Sequence, residues 1–369
     1  MVEFSYKRLR MDYCAYVYQS GDKFSIVLIW VDDITAFADS PETNQELVEK
    51  LKRKYEIKVL GEPTLLLGIH IQRNWDRRIM MLSQKRYVLK ILERAGMENL
   101  KPTTTPMDTN VLLTENTAEP KENKNGRTSI EYATRIGELL YAAHATRPDI
   151  LYAMITLAQF TNNPAEEHWT AVKRIFRYLK GTADCVLTYG GGGNTENELI
   201  RYTVADWGLN AHRRSISRYV FTLGGGAIAW SSKKQGRTAL STAEAEYAAA
   251  TQAVKQLIWH RNLLKELDLP QERTLILLSD NQAAISISHN PKFHARTKHI
   301  DIELHFLRDH VSEGTMKMEY IPSKDNLADL FTKSLPRPRH ELLTSRIRLL
   351  EQGGVLELFE RANEDRLEG

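Results

Sequence analysis

The chain has 369 residues, which at roughly 150 residues per domain corresponds to two or three domains. Hydrophobic residues make up 42% and charged residues 26%, and these ordinary shares exclude a wholly disordered or collagen-like chain. The 50 Lys and Arg residues exceed the 47 Asp and Glu residues by a net charge of +3, so any basic binding surface must be local.

The cysteines and the first residues bear on the cellular compartment. The sequence contains two cysteines, Cys14 and Cys185, so a disulfide scaffold is excluded and a reducing compartment is expected. Residues 1–12 carry charges where a secretory signal has its apolar stretch. The apolar run at residues 26–31 is far shorter than the roughly 20 residues that span a membrane, and it predicts a buried strand.

Strands and helices alternate in the first 108 residues. Apolar runs and helical spacing predict strands at residues 24–31 and 64–71 and helices at residues 41–54 and 83–95. The next block is mainly helical, and the predicted helices are residues 132–145, 150–161 and 168–179. The last block alternates again, with strands predicted at residues 200–205, 217–223, 227–231, 274–279 and 316–321 and helices at 242–267, 281–288 and 326–333.

Two stretches are typical of linkers. Residues 108–129 are polar and charged, and residues 190–198 begin with four consecutive glycines, which are costly in a helix or a central strand. The predicted organisation is therefore residues 1–108, a linker with a helical region at 109–189, a glycine-rich linker at 190–198, a domain at 199–340, and a polar tail at 341–369.

Two adjacent carboxylates, Asp32 and Asp33, follow the first predicted strand in the run Trp30-Val31-Asp32-Asp33. A buried strand that ends in such a pair is costly unless something pairs with the charges. Mg²⁺ is the natural partner because it takes oxygen ligands and is usually shared with substrate phosphates. The alternative interpretation is a strand that runs into an exposed Asp-Asp turn.

A series of motifs runs along the chain in the order WVDDI, KVLGEPTLLLGIHI, LSQKRYVLKILERAGM, TTTPMD, TRPDILYA, KRIFRYLKGT, RRSISRYVFTLGGGAIAWSSKKQ, LSTAEAEYAA, SDNQAAI, RTKHIDIELHF and NLADLFTKSLP. In this order and spacing the motifs resemble the C-terminal part of the Pol polyprotein of copia-type retrotransposons. The resemblance extends from about residue 12 to residue 336.

The resemblance implies an α/β fold, α+β overall. Its parts are a partial reverse transcriptase palm in residues 1–108, a helical thumb or connection, and a ribonuclease H-like mixed sheet flanked by helices. Asp32 and Asp33 match the family's YVDD carboxylates, and Trp30 stands where a tyrosine is usual near the primer end. Leu67 and Gly68 match the hairpin that grips the primer strand.

A basic helix face is expected in the thumb-like region. The side chains that form it are those of Lys173, Arg174, Arg177 and Lys180, and they suit contacts with a phosphate backbone. The alternative is an ordinary solvated side of a helix.

A reverse transcriptase also needs a third aspartate, on a strand well upstream of YVDD. The residues before Asp32 do not contain the family's upstream motif, and the fingers are missing as well. We therefore expect the first residues of this chain to correspond to the interior of the palm domain. Two carboxylates without the third are not expected to hold both metal ions in the two-metal geometry.

The ribonuclease H resemblance implies four carboxylates that hold two Mg²⁺ ions. Glu246 fits the helix position, because it shares a helix face with three apolar residues, Ala250, Ala253 and Leu257, and therefore points inward. Residues 241–244 form a capping box that begins this helix, and Glu244 is the exposed, capping alternative.

The third and fourth carboxylates are assigned to Asp280 and Asp329. Asp280 lies at the carboxyl end of an apolar strand, where open sheets place ligands. Asp329 follows Asn326 in the first turn of a predicted helix, where the helix dipole favours an anion. A capping or dipole role is the alternative for Asp329.

The first-strand position departs from the family pattern. The family has SDADW where this chain has residues 203–207, TVADW, so the metal-bridging aspartate falls on Val204. Asp206 is on the same face but roughly 6.6 Å further along, which is far for a ligand whose metal bond is ~2.0–2.1 Å, so it is the weaker metal candidate. Arg218 replaces a glycine of the family's turn into a strand, at a cost if that glycine has a positive φ.

The resulting hypothesis is a fragment of a retrotransposon reverse transcriptase and ribonuclease H that is impaired or inactive as this chain. The alternatives are a non-catalytic nucleic-acid-binding remnant and a decayed copy without function. The expected cofactor is Mg²⁺, held by Asp32 and Asp33 in one site and by Asp206, Glu246, Asp280 and Asp329 in the other. The expected partners are an RNA–DNA hybrid or a primer–template, with no membrane, and other Pol or Gag products. The family implies an intracellular location, in cytoplasmic particles or in the nucleus.

Overall fold

The computed structural model of the chain describes residues 1–116, 128–191, 198–206, 215–236, 242–271, 274–289 and 301–355. The chain divides into two units, residues 1–64 with 254–275, and residues 65–253 with 276–369. This division differs from the predicted boundary at residue 108. The reason is that the strands after residue 64 pair with strands from much later in the sequence.

The first unit contains a four-stranded antiparallel sheet, whose strands in spatial order are β1 (Lys7–Arg8), β2 (Ala15–Ser20), β3 (Lys23–Trp30) and β4 (Asp33–Ala38). Helix α1 (Pro41–Lys52) follows, and its N-cap Ser40 accepts a hydrogen bond from the backbone N–H of Thr43 at 3.2 Å. Leu47 and Leu51 of this helix join one buried cluster with Val27. The helix predicted at residues 41–54 is confirmed.

One face of this sheet carries exposed apolar side chains. Leu28, Trp30 and Phe37 are 36%, 58% and 38% exposed, and the strand register places all three on the same face. Val27 and Ser25, on the other face, are fully buried. The strand predicted at residues 24–31 therefore exists, but the prediction that it is a buried strand is wrong for one of its two faces.

The second unit contains two five-stranded sheets, whose strands are β5 (Leu65–Leu66), β6 (Ile69–Asn74), β7 (Ile79–Ser83), β8 (Cys185–Gly190), β9 (Ile200–Asp206), β10 (Ile216–Leu223), β11 (Gly226–Lys234), β12 (Leu275–Ser279), β13 (Met316–Tyr320) and β14 (Leu349–Glu351). One sheet has the order β14-β8-β7-β6-β5 and the other has the order β11-β10-β9-β12-β13. In the latter, β9 runs antiparallel to β10 and parallel to β12, so the predicted mixed sheet is confirmed.

The helices that follow α1 are α2 (Lys85–Arg94), α3 (Ser129–Ala145), α4 (Leu151–Ala158), α5 (Glu166–Gly181), α6 (Thr242–Glu266), α7 (Gln282–His289), α8 (Asp301–Ser312) and α9 (Arg337–Arg346). Together with the sheets they confirm the α+β class. A single hydrophobic cluster contains Leu139 of α3, Phe176 of α5, and Val204 and Val220 of the mixed sheet. The helical region and the mixed sheet therefore share one core instead of packing separately.

Two predicted segments differ from the structure. The strand predicted at residues 64–71 is a hairpin, because Leu67 and Gly68 adopt φ values of +48° and +74° and reverse the chain. Part of the predicted polar tail is folded, since Leu349 pairs with Leu187 of β8, and Leu343 and Ile347 are fully buried. The scattered apolar residues of this tail are what anchor it.

Candidate active sites

The polymerase-like carboxylates lie in a hairpin turn between β3 and β4. Trp30 and Asp33 are paired across the two strands, and Val31 and Asp32 form the turn, with φ of +54° at Val31. Asp32 and Asp33 are both exposed. The argument that buried charges require a partner therefore does not apply here. The geometry is that of the alternative, an exposed Asp-Asp turn, and it leaves both carboxylates accessible to a ligand.

The hairpin of Leu67 and Gly68 is anchored by helix α3. The Tyr141 hydroxyl donates a hydrogen bond to the Leu67 carbonyl, and a Cβ at position 68 would lie 3.3 Å from that hydroxyl. The ring of Tyr87 packs edge-on against Tyr141, with the centroids 4.9 Å apart. The hairpin tip stays accessible, since Leu67 is 49% exposed.

The basic side chains predicted on α5 contact the chain's own segment 100–108. Arg174 donates to the Thr105 hydroxyl at 2.9 Å and to Asp108 at 3.3 Å. Arg177 donates to a backbone carbonyl of this segment at 2.7 Å, and Lys180 donates to another at 2.8 Å. Lys173 is half-buried. Three of the four cations therefore hold this extended segment in place, and their role in phosphate binding remains a prediction.

Glu246 lies against the carboxyl-terminal half of β9. It is 6% exposed, and its Oε2 accepts a hydrogen bond from the backbone N–H of Ala205 at 2.8 Å. The apolar residues on its helix face are fully buried, namely Ala250, Ala253 and Leu257. The inward direction inferred for Glu246 thus agrees with the structure. Glu244 is half-buried rather than exposed, and Ser241 of the expected capping box lies outside the described residues.

Asp280 follows β12, the strand parallel to β9. Its Oδ2 accepts a hydrogen bond from the Ser323 hydroxyl at 2.7 Å. The Asn326 side-chain amide donates to the Thr203 carbonyl of β9 at 3.0 Å, and the same nitrogen lies 3.5 Å from Oδ1 of Asp280. Asn326 therefore connects the end of β12 to β9 through a buried side chain that sequence analysis did not single out for this role.

Asp329 lies in a short 3-10 helix, Leu327–Phe331. Asn326 caps this helix, because its side chain accepts a hydrogen bond from the Ala328 N–H at 3.1 Å, so the cap is not Asp329. Oδ2 of Asp329 lies 3.2 Å from Nη2 of Arg339, and both side chains are about one-fifth exposed, at 20% and 22%. This ion pair was not predicted, because Arg339 follows a proline in a segment expected to be polar.

Val204 and Arg218 lie directly opposite each other in the β9–β10 ladder. Val204 is 6% exposed and belongs to the large core cluster, while Arg218 is fully buried. Arg218 lies inside β10, and its φ is not positive. The strain expected from replacing a turn glycine is therefore absent. Asp206 is the last residue of β9, and its side chain lies outside the described part of the structure.

The described residues do not fit a two-metal site. Carboxylate oxygens are suitable ligands for Mg²⁺. However, among the side chains that the structure describes, no three of the His, Cys, Asp and Glu residues are grouped closely enough to hold an ion. Glu246, Asp280 and Asp329 each already accept a protein donor, and the first-strand position carries an apolar side chain.

The amino-terminal part of the sequence matches a known family. Residues 1–109 match the family described as reverse transcriptase (RNA-dependent DNA polymerase). The chain is 39% identical over 341 residues to the retrovirus-related Pol polyprotein from transposon TNT 1-94 of Nicotiana tabacum, covering 92% of this chain and 25% of that protein. It is 36% identical to the Pol polyprotein from transposon RE1 of Arabidopsis thaliana, over 91% of this chain and 22% of that protein.

A shorter relative is matched over most of its own length. The putative transposon Ty5-1 protein of Saccharomyces cerevisiae is 30% identical to this chain, over 66% of this chain and 77% of that protein. The chain belongs to the retrotransposon Pol polyprotein family. The resemblance predicted from the motifs is confirmed. The chain spans about a quarter of the length of the plant Pol polyproteins that it matches.

Solved structures give weaker likenesses. A foamy viral protease–reverse transcriptase in complex with an RNA/DNA hybrid is 15% identical, with a TM-score of 0.41, over 84% of this chain and 37% of that one. A ribonuclease H1 isolated from compost by a metagenomic approach is 19% identical, with a TM-score of 0.27, over 37% of this Pol fragment and 92% of that chain. Within the described residues, no helix is long and apolar enough to cross a membrane.

Proposed function

We propose that this Pol fragment is a copia-type reverse transcriptase and ribonuclease H remnant that engages nucleic acid but has little or no catalytic activity as this chain. The observation that carries the proposal is Val204. A buried valine stands at the first-strand position of an otherwise recognisable carboxylate set, next to the backbone N–H that Glu246 accepts. A ribonuclease H site without its bridging carboxylate loses the ligand shared by both metal ions.

The proposal retains Mg²⁺ as the cofactor of the family. In the polymerase-like part, Asp32 and Asp33 are the residues that would hold it. In the ribonuclease H-like part the corresponding family positions are Glu246, Asp280 and Asp329, with Asp206 as the weaker candidate, and the proposed inactivity means that they do not hold the two-metal pair. The bound ion would supply charge neutralisation for phosphoryl transfer.

The proposed partner is an RNA–DNA hybrid or a primer–template, with other Pol and Gag products of the element as further partners. Membership of the Pol family supports this choice. In our proposal the exposed tip at Leu67 and the exposed ring of Trp30 contact nucleic acid. Arg174, Arg177 and Lys180 contribute less, because their donors already bind segment 100–108.

The test is a cleavage assay on an RNA–DNA hybrid with labelled RNA, run with Mg²⁺ and with Mn²⁺. We expect no cleavage above that of the Glu246→Gln variant, which serves as the control for contaminating nuclease. Cleavage by the native chain that Glu246→Gln abolishes would contradict the proposal. Loss of that cleavage in Asp206→Asn would further identify Asp206 as the first-strand ligand.

Binding separates the proposal from its rivals. Fluorescence anisotropy with the same hybrid should show binding that weakens steeply as salt increases, because phosphate contacts release counterions. Such binding together with an inactive double variant, Val204→Asp with Arg218→Met, would favour a non-catalytic binding protein. Absence of binding at low salt would favour a decayed copy without function.

A further inference from the structure

The two departures from the family pattern in the mixed sheet meet in space. Arg218 and Val204 are direct partners in the antiparallel β9–β10 ladder, and side chains at paired positions leave a sheet on the same face. Position 204 is where the family carries its metal-bridging carboxylate. The Arg218 side chain therefore starts from the face that the metal ions would occupy.

The guanidinium of Arg218 is held at the carboxyl end of β9. Nη1 donates to the Ile216 carbonyl at 3.3 Å, and Ile216 pairs with Asp206, the last residue of β9. Nη2 donates to the Thr332 carbonyl at 3.0 Å. The Thr332 hydroxyl in turn lies 3.2 Å from Oδ1 of Asp329. A fully buried cation is thus fixed between β10 and the end of the 3-10 helix that carries Asp329.

Two guanidinium groups lie near the fourth carboxylate. Nη2 of Arg339 lies 3.2 Å from Oδ2 of Asp329, and Nη2 of Arg218 donates to the carbonyl of Thr332, whose hydroxyl lies 3.2 Å from Oδ1 of Asp329. A guanidinium keeps its charge at every accessible pH, and like charges repel more strongly in a buried site than in water. We propose that Arg218 takes the place of the divalent cation in this site, so that residues 204 and 218 together exclude the metal.

This inference rests on the proposed function. It changes which substitutions are needed to restore the metal site. In Val204→Asp alone, the new carboxylate faces a buried cation and forms an ion pair with it. That carboxylate is then not available to a metal ion. Replacing Arg218 in addition removes the competing charge and opens the space that its side chain fills.

The experiment measures Mn²⁺ binding to the full chain by electron paramagnetic resonance of the free ion. We compare Val204→Asp, Val204→Asp with Arg218→Met, and Val204→Asp with Arg201→Met. Arg201 is the matched control, because it is also a buried arginine of this sheet. It lies in β9 and on the opposite face, where it donates to the Ile276 carbonyl at 3.1 Å. The double variant at 204 and 218 should bind Mn²⁺ at least about tenfold more tightly than the other two.

Equal Mn²⁺ affinity in the three variants would overturn the inference, and so would equal tightening by Arg201→Met. If the double variant does not fold, the inference is tested by thermal melting of the Val204→Asp single variant with and without Mn²⁺. We expect Mn²⁺ to shift its Tm no more than it shifts the Tm of the native chain, and a larger rise overturns the inference. Failure of the proposed function is distinguishable, because it appears as hybrid cleavage by the native chain. An inactive native chain whose Val204→Asp variant binds Mn²⁺ more tightly than the native chain does overturns the inference alone.

Discussion

At the scale of single residues, the most demanding interaction is the buried ion pair of Arg147 and Asp149. The two side chains are 1% and 2% exposed and form two hydrogen bonds, of 3.0 and 2.7 Å. The Tyr178 hydroxyl donates to the same carboxylate at 2.7 Å. Burial alone would raise the pKa of Asp149, but the charge and hydrogen bonds of Arg147 lower it.

Removing one partner leaves a buried charge without compensation. We therefore expect Asp149→Ala to lower the free energy of unfolding by about 3–5 kcal/mol. Glu341→Ala is the control, because its ion pair with Arg337 is more than half exposed, and it should cost only about 0.3–0.5 kcal/mol. Urea denaturation of both variants measures the difference. Equal losses in the two would show that Asp149 is not stabilised by the buried pair.

His340 should make stability depend on pH. It is 4% exposed, it packs edge-on against Tyr178, and burial lowers its pKa below the ordinary 6.5. Below pH 6.5, His340 therefore binds a proton in the unfolded chain more readily than in the folded chain. The contribution of His340 to the free energy of unfolding is fully present above pH 6.5. It decreases as the pH falls below this value, by up to about 1.4 kcal/mol per pH unit.

The measurement is the Tm of the native chain and of His340→Gln between about pH 7.5 and pH 5.5. We expect the native chain to lose more stability over this interval than the variant does. The remaining slope in the variant comes from other histidines with lowered pKa values, His144 and His168. Parallel pH profiles for the two proteins would contradict this assignment.

At the scale of elements, the β5–β6 hairpin depends on its glycine. Gly68 has φ of +74°, and a Cβ there would lie 3.3 Å from the Tyr141 hydroxyl. We expect Gly68→Ala to destabilise the chain by about 1 kcal/mol or more. Gly137→Ala is the matched substitution. It lies on the exposed side of α3 with no heavy atom within 4 Å of the added Cβ, and it should stabilise by about 0.8–1.0 kcal/mol. Tm shifts of the same sign would contradict the expectation.

Most element types could be predicted from local pattern. The spacing of apolar residues located the helices α1 to α7 and the five strands of the mixed sheet, because these segments have one consistent face toward the core. The hairpin at Leu67 was predicted as one strand, since the signal for reversal is a backbone angle and not a hydrophobic pattern. The strands β8 and β14 were missed because their pairing joins residues far apart in sequence.

The candidate sites were predictable to a similar extent. The inward direction of Glu246 followed from helix periodicity alone. The contact between positions 204 and 218 could not be predicted, because it depends on the register of β9 against β10. The partners of the basic residues on α5 also escaped prediction. Backbone carbonyls accept the hydrogen bonds of Arg177 and Lys180, and they leave no trace in the sequence.

At the scale of the whole molecule, the segment from α9 to β14 completes the core of the second unit. Leu343 is fully buried, whereas its neighbour Leu342 is 43% exposed. We expect Leu343→Ala to cost about 2–5 kcal/mol and Leu342→Ala to change stability by less than about 0.5 kcal/mol. Denaturant unfolding compares the two. A small effect at Leu343 would support the polar tail predicted from sequence.

The chain as a whole should not extend a primer. The two exposed carboxylates of the β3–β4 turn lack, within these 369 residues, the upstream aspartate that the family pairs with them. We expect no nucleotide incorporation on a primed RNA template with Mg²⁺ or Mn²⁺. Incorporation by the native chain that is lost in Asp32→Asn would refute this expectation. The Glu42→Gln variant, in the exposed first turn of α1, controls for a general loss of charge.

The pairing of positions 204 and 218 has an evolutionary consequence. An aspartate restored opposite Arg218 enters an ion pair, and a glycine restored opposite Val204 leaves a cavity in the core. If residues 204 and 218 exclude the metal as proposed, neither reversal alone is expected to regain a metal site. Recovery of cleavage would then require both substitutions together.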